Sequence, residues 1–231
     1  MVPIRDTAPC YSRPYVTWVL MFVCSLIFIV MQLLPQQLQF QLVNLYGLVP
    51  LRYSDPDWAL AYGLPNDHGL SFFSCLFLHG GWLHLAVNMW FMWIFADNVE
   101  DRMGHWRFLV FFILSGLFAA ALQWYFSPDL AIPVVGASGA IAGVLAAYFF
   151  LYPMARVILW IPLLFYPLIV HVPAIAFLGV WVILQLHNAI TALLFKDVTV
   201  DVAWWEHLGG FIIGGLTYHF FLLKHWPKKS D

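Results

Sequence analysis

Apolar residues run through this chain in blocks far longer than one face of a soluble helix requires. Tyr15 to Leu34 carries no charge and is stopped by Pro35. Trp82 to Ala96 has only His84 and Asn88 as strongly polar groups, and Phe108–Phe126, the Gly- and Ala-rich Ser138–Tyr152, and Val202–Leu223 follow. Crossing hydrocarbon takes about 20 mostly apolar residues. The pattern therefore predicts helices over about 15–34, 82–100, 107–126, 138–152, 172–190 and 202–223. Between Val157 and Phe195 no formal charge appears, but Pro162, Pro167, Pro173 and His171 break the first half. The fifth helix is accordingly expected from about 172, and the segment before it is read as a surface-lying connection. Residues 35–80 form a long aromatic loop with Trp58, Asp55, Asp57 and Asp67, and a loop of that length in a compact protein is usually functional.

Composition changes this from a pattern into a class. Of 231 residues, 63% are hydrophobic and only 10% charged, against roughly 25% charged in soluble domains. That excludes a water-soluble globule. The fold class expected is an all-α polytopic membrane protein with a six-helix bundle. A net charge of −2 offers no field for a nucleic acid backbone. Cys10, Cys24 and Cys75 form neither a paired framework nor a CxxC, so no disulfide or metal site is expected.

Lysine and arginine set the orientation, because cytoplasmic loops carry the excess. With six spans, Arg5, Arg13, Arg102, Arg107, Arg156, Lys224, Lys228 and Lys229 fall on one side and only Arg52 and Lys196 on the other. Both ends, 1–14 and the basic tail 224–231, are expected in the cytoplasm, with 35–80 outside. The first apolar run is too long for a removable signal peptide, and no small-residue cleavage site follows it before Pro35.

Polar groups inside a span are costly and are functional candidates by default. His84, Asn88, Ser138 and His207 are four, on helices that all run from outside to inside, and all lie a few residues below the outer surface. Gly136-Ala137-Ser138-Gly139-Ala140 lacks the last glycine of the G-x-S-x-G elbow of soluble hydrolases. It still sets a hydroxyl at a helix N-terminus, where free backbone N–H groups and the positive dipole end favour an oxyanion. A Gly/Ser cluster at a membrane helix start is, taken alone, ordinarily packing. His207, Gly210 and Gly214 share one helical face, and Ser138, Ala142 and Ala146, flanked by Gly139 and Gly143, offer a matching small face. Packing the two would bring a general base to a nucleophile. His84 and Asn88, spaced i to i+4, supply N–H donors for an oxyanion, or simply interhelical hydrogen bonds.

These residues, in order, resemble the rhomboid intramembrane serine proteases over about residues 45–223. The resemblance is carried by His79-Gly80-Gly81-Trp82-Leu83-His84 with Asn88 and Met89, then Asn98-Val99-Glu100-Asp101-Arg102-Met103-Gly104, then Gly136-Ala137-Ser138-Gly139, then His207 with Gly210 and Gly214. It implies a six-helix bundle with a Ser–His dyad and no acidic third member. Ser138 would be the nucleophile and His207 the base. The Ser138 backbone N–H, His84 and Asn88 would form the oxyanion site, while Glu100 and Arg102 match a structural motif. Three positions depart from the family pattern. The Trp-Arg motif of some members' first outer loop is absent. Ala142 stands where several members place a tyrosine against the histidine. Glu206 stands where alanine is usual, at a place from which its charge could tune His207 or face water.

The expected activity is endoproteolysis of transmembrane segments near the outer face, with membrane proteins and the bilayer as partners and no cofactor or metal. The expected location is a cell membrane of bacterial inner-membrane type. A family member without activity, serving as a membrane-protein-binding scaffold, is the alternative. A transporter would place its site near the midplane between repeat halves, and a zinc protease would need H-E-x-x-H, which Glu206-His207 does not continue.

Overall fold

The computed structural model describes residues 2–162, 167–194, 203–224 and 226. All six expected segments are helical in it, four short helices and two strands lie between them, and a third strand precedes the first. The helices are α1 (Tyr15–Gln32), α2 (Gln36–Tyr46), α3 (Leu51–Ser54), α4 (Pro56–Ala61), α5 (Leu70–Ser74), α6 (Trp82–Met103), α7 (His105–Phe126), α8 (Ser138–Leu151), α9 (Ala174–Leu194) and α10 (Trp204–Phe221). By length and apolarity alone α1, α7 and α9 can cross a membrane. A fourth span results if Leu70–Phe77 and Trp82–Met103, which meet at 86°, are counted as one. Helix α8 is apolar but only 14 residues long. The protein is a mostly helical, multi-pass membrane protein. The basic tail, the start expected for the last helix at 202 and Lys196 lie largely outside the described residues.

The bundle is built around α8. Ten of its residues, from Gly139 through Tyr148, are buried, and their glycines and alanines let α7 and α10 approach its backbone. Ala119 on α7 and Gly210 on α10 both stand within contact of Gly139 and its neighbours. Larger side chains fill the end remote from Ser138, where Phe95, Phe108, Phe111, Phe112 and Tyr148 are buried in one apolar cluster.

At that same end Glu100, wholly buried, closes α1 onto α6. Its carboxylate accepts from the Val16 and Thr17 backbone N–H groups (2.9 and 2.8 Å) and from the Thr17 hydroxyl (2.7 Å). These are free donors of the first turn of α1, so Glu100 caps that helix from another element. His105, at the start of α7, lies 2.6 Å from the same carboxylate. Asp101 accepts from the backbone N–H and hydroxyl of Ser12, and the Arg102 guanidinium lies over the Trp226 ring at 4.5 Å.

The connection before α9 is not a flat surface segment. Arg156–Pro162 (β2) and Pro167–Pro173 (β3) form an antiparallel hairpin, and Val2–Asp6 (β1) adds to it in the order β1-β2-β3. The reason is legible afterwards. The two runs are rich in Val, Ile and Trp, which favour strands. Their prolines stand only at the strand ends, where a missing N–H costs no ladder bond. Alternation places Val157 and Leu159 against the core and Trp160 and Ile169 outward.

The outer loop is a folded layer rather than an open strand of chain. Arg52, 4% exposed, donates to the Pro65 carbonyl through Nε (3.0 Å), to the Leu45 carbonyl through Nη1 (3.0 Å), and to Asp67 (3.2 Å). Asp67 also accepts from the Tyr53 hydroxyl (2.6 Å) and from the Ser71 and Gly69 backbone N–H groups (2.8 and 3.1 Å). Burial alone would raise the Asp67 carboxyl, but these donors and the Arg52 charge together hold it below its ordinary value. One ion pair thus ties residues 45, 52, 53, 65 and 67–71 together, in a loop that lacks the Trp-Arg motif.

Candidate active site

Ser138 opens α8, so the backbone N–H groups of the first turn have no partners within the helix. The turn leading to it is stitched in place from two sides. Leu48 and Val134 exchange both backbone hydrogen bonds (3.0 and 2.7 Å), and the Gly136 N–H donates to the Cys75 carbonyl at 2.9 Å. Gly136 has φ +132°, and a Cβ there would lie 2.7 Å from His84 Nε2 and 3.4 Å from Asn88 Nδ2. Only glycine fits on both counts. The same distances place the His84 and Asn88 side chains against the backbone just before Ser138. Asn88 is 5% exposed and its Nδ2 has no hydrogen-bond partner among the described residues.

The small faces of α8 and α10 meet as the spacing predicts, and they fix a register. A Cβ on Gly210 would lie 1.9 Å from the Gly139 carbonyl oxygen, and one on Gly214 would lie 2.4 Å from the Gly143 carbonyl oxygen. One turn earlier on α10, Glu206 reaches Gly139. His207 therefore lies level with the first turn of α8, where Ser138 stands. Both residues are partly exposed. Among the described residues they are not hydrogen-bonded to each other.

Glu206 and His207 part company at this level. Glu206 is 1% exposed, its Cγ packs against Gly139, its backbone N–H donates to Gln123 Oε1 on α7 (3.1 Å), and its Oε2 has no partner among the described residues. His207 turns toward α9 instead, where its Nδ1 lies 2.7 Å from Gln185 Oε1. Trp181 and Trp204 flank the imidazole with ring centroids 6.0 and 6.1 Å away. The structure thus brings together Ser138, His207, His84, Asn88, Gly136, Gly139, Gly210 and Gly214. It puts Glu206 against Gly139, while His207 faces Gln185 of α9.

Two residues at this layer were given no role from the sequence. Gln185 is a buried amide in a mostly apolar helix, and its signal was the one already applied to His84 and Asn88: a polar group inside a span. His79, 3% exposed, lies with its ring 5.2 Å from that of His84, and neither of its nitrogens has a partner among the described residues. Among the described residues no cluster of His, Cys, Asp and Glu is able to hold a metal ion.

Comparison with known proteins bears on the family. A family model described as "Rhomboid domain" matches residues 66–225. The chain is 29% identical over 170 residues to "Rhomboid protein 1, mitochondrial" of Saccharomyces cerevisiae, covering 70% of this chain and 44% of that protein. It is 29% identical over 146 residues to "Presenilin-associated rhomboid-like protein A, mitochondrial" of Danio rerio (60% and 34%). It is 35% identical over 75 residues to "Rhomboid-like protein 11, chloroplastic" of Arabidopsis thaliana (32% and 26%). The matched region is less than half the length of each relative. Their mitochondrial and chloroplastic names lend no support to a bacterial inner membrane. With a family match that spans more than half of its length, the chain belongs to the rhomboid family.

Proposed function

We propose that the protein is an intramembrane serine endopeptidase that cuts transmembrane segments near the outer face with a Ser138–His207 dyad. One observation supports this reading: the register of α8 on α10, with Gly210 and Glu206 against Gly139, fits a serine at a helix N-terminus level with a histidine. His84 and Asn88 press on the backbone just before that serine. In the reaction, Ser138 Oγ attacks the scissile carbonyl and its proton passes to His207 Nε2, the ring nitrogen that does not face Gln185. The oxyanion is met by the Ser138 backbone N–H, His84 and Asn88. Collapse returns the proton from His207 to the leaving amine and leaves an acyl-serine. Water, deprotonated by the same imidazole, releases the acid and restores the serine. The separate Ser138 and His207 side chains fit a resting state, since such contacts often tighten only with substrate bound.

In this reading the chain crosses the bilayer six times, with both ends in the cytoplasm and the site at the outer layer. Its partners are membrane-protein substrates and lipid, and no cofactor takes part. A scaffold that binds membrane proteins without cutting them is the alternative, and it draws on the "rhomboid-like" names of two relatives. Reaction with a serine-directed fluorophosphonate separates the two. The protease is labelled and Ser138→Ala is not, whereas a scaffold takes up no label in either form.

A further inference from the structure

The position usually given to a ring that steadies the catalytic histidine is Ala142, fully buried and too short to reach. The histidine is held from a different helix. His207 Nδ1 and Gln185 Oε1 stand 2.7 Å apart, and Gln185 is 6% exposed. Helix α9 is buried along one stripe, Ala174, Leu178, Gln185 and Ala189, and its other strongly polar side chains, His187 and Asn188, lie off that stripe. Gln185 is the one polar member of that stripe. A carbonyl-type oxygen can only accept, so the proton of a neutral imidazole must sit on Nδ1 for this bond to form. That leaves the Nε2 lone pair free, which is the form a general base needs.

Resting on the dyad reading, we propose that Gln185 is a positioning residue that fixes the orientation and tautomer of His207 from α9. Catalytic competence then depends on α9 being seated, since the acceptor reaches the imidazole only from that stripe. The same amide in its other orientation would donate to Nδ1 and leave the proton on Nε2, which is the form unable to act on Ser138. Chemistry therefore selects the orientation, and substitution tests it.

Gln185→Met keeps the length and apolar packing but loses the acceptor. Gln185→Glu keeps an acceptor and loses the donor. For the full chain in liposomes, Gln185→Met is expected to lower kcat at least tenfold with KM nearly unchanged, while Gln185→Glu retains most of the wild-type kcat and both keep the wild-type Tm. Equal activity of both variants with wild type would overturn the proposal, as would an inactive Gln185→Glu beside an active Gln185→Met. Parallel loss of activity and Tm in both would make Gln185 structural and overturn it too. Ser138→Ala and His207→Ala run alongside: if they remain active the dyad reading fails, whereas if they are dead and the Gln185 variants are normal only this proposal fails. Should Gln185→Met not fold, 15N spectra of histidine-labelled wild type decide, with the His207 signals identified by their loss in His207→Ala. An Nδ1-protonated neutral ring is expected, and an Nε2-protonated one would refute the assignment.

Discussion

Gly210→Ala is the smallest perturbation that tests whether the approach of α10 to α8 builds the site. The added Cβ would lie 1.9 Å from the Gly139 carbonyl oxygen and 3.2 Å from the Ala142 Cβ. The first neighbour is backbone and cannot swing aside. To bring the contact even to 3.0 Å the two helices must part locally by about 1 Å. Overpacking of this kind costs about 1–3 kcal/mol, and each kcal/mol lowers Tm by roughly 2–4 °C in a chain of this length. The chemical effect is larger, because a displacement of about 1 Å between reacting groups can cost on the order of 10² in rate. The expected result is a fall of several degrees in Tm and a loss of about a hundredfold in the rate of fluorophosphonate labelling. Gly179→Ala is the control. It lies on α9 with nothing within 4 Å of its Cβ position, and alanine is the better helix former by roughly 0.5–1 kcal/mol. Normal labelling and Tm in Gly210→Ala would refute the claimed contact.

Other outcomes follow from neighbouring geometry. Asn88→Ala removes a side-chain donor from the proposed oxyanion layer and is expected to slow cleavage by on the order of 10²–10³ with unchanged helix content by circular dichroism; a large fall in Tm at full activity would make Asn88 structural. Glu206→Gln is expected to leave the pH–rate profile from pH 5 to 9 superimposable on wild type, because the carboxyl packs against Gly139 while His207 is held from α9; a shifted acidic limb would show coupling between them. Asp67 is held below its ordinary value of 3.8, so its stabilisation of the outer loop is complete above that pH and is lost as pH falls through the lower folded value. Asp67→Ala removes the carboxylate partner of a buried guanidinium, a change worth about 3–5 kcal/mol in comparable sites, and limited proteolysis within residues 45–71 is expected to rise; an unchanged cleavage pattern would contradict the role given to this ion pair.

The sequence announced the helices and the site to different depths. Long apolar blocks mark α1 and α7 because lipid tolerates no other pattern, and the spacing of Gly210 and Gly214 stated in advance which face of α10 meets α8. The hairpin of β2 and β3 was hidden because an apolar run broken by Pro162, Pro167 and Pro173 reads equally as an interfacial segment, and its third strand comes from residues 2–6, over 140 positions away. The loop knot at Arg52 was hidden for a related reason: its partners are mostly backbone carbonyls, which leave no trace in side-chain pattern. Gln185 was legible as a polar residue in a span, but its purpose depends on which face of α9 is seated, and that is decided by packing. Glu206 shows the converse. Adjacency in sequence suggested coupling to His207, and about 100° of helical rotation sends the two side chains to different neighbours.

The central claim is that Ser138 and His207 cut a peptide bond together, and the direct measurement is cleavage of a single-pass transmembrane substrate segment in liposomes, with product masses read for wild type, Ser138→Ala and His207→Ala. The account predicts one new terminus near the outer face of the segment with wild type and no product with either variant. Product formed by a folded Ser138→Ala or His207→Ala at a rate near wild type, or no cleavage by wild type of any segment in a broad panel, would contradict it.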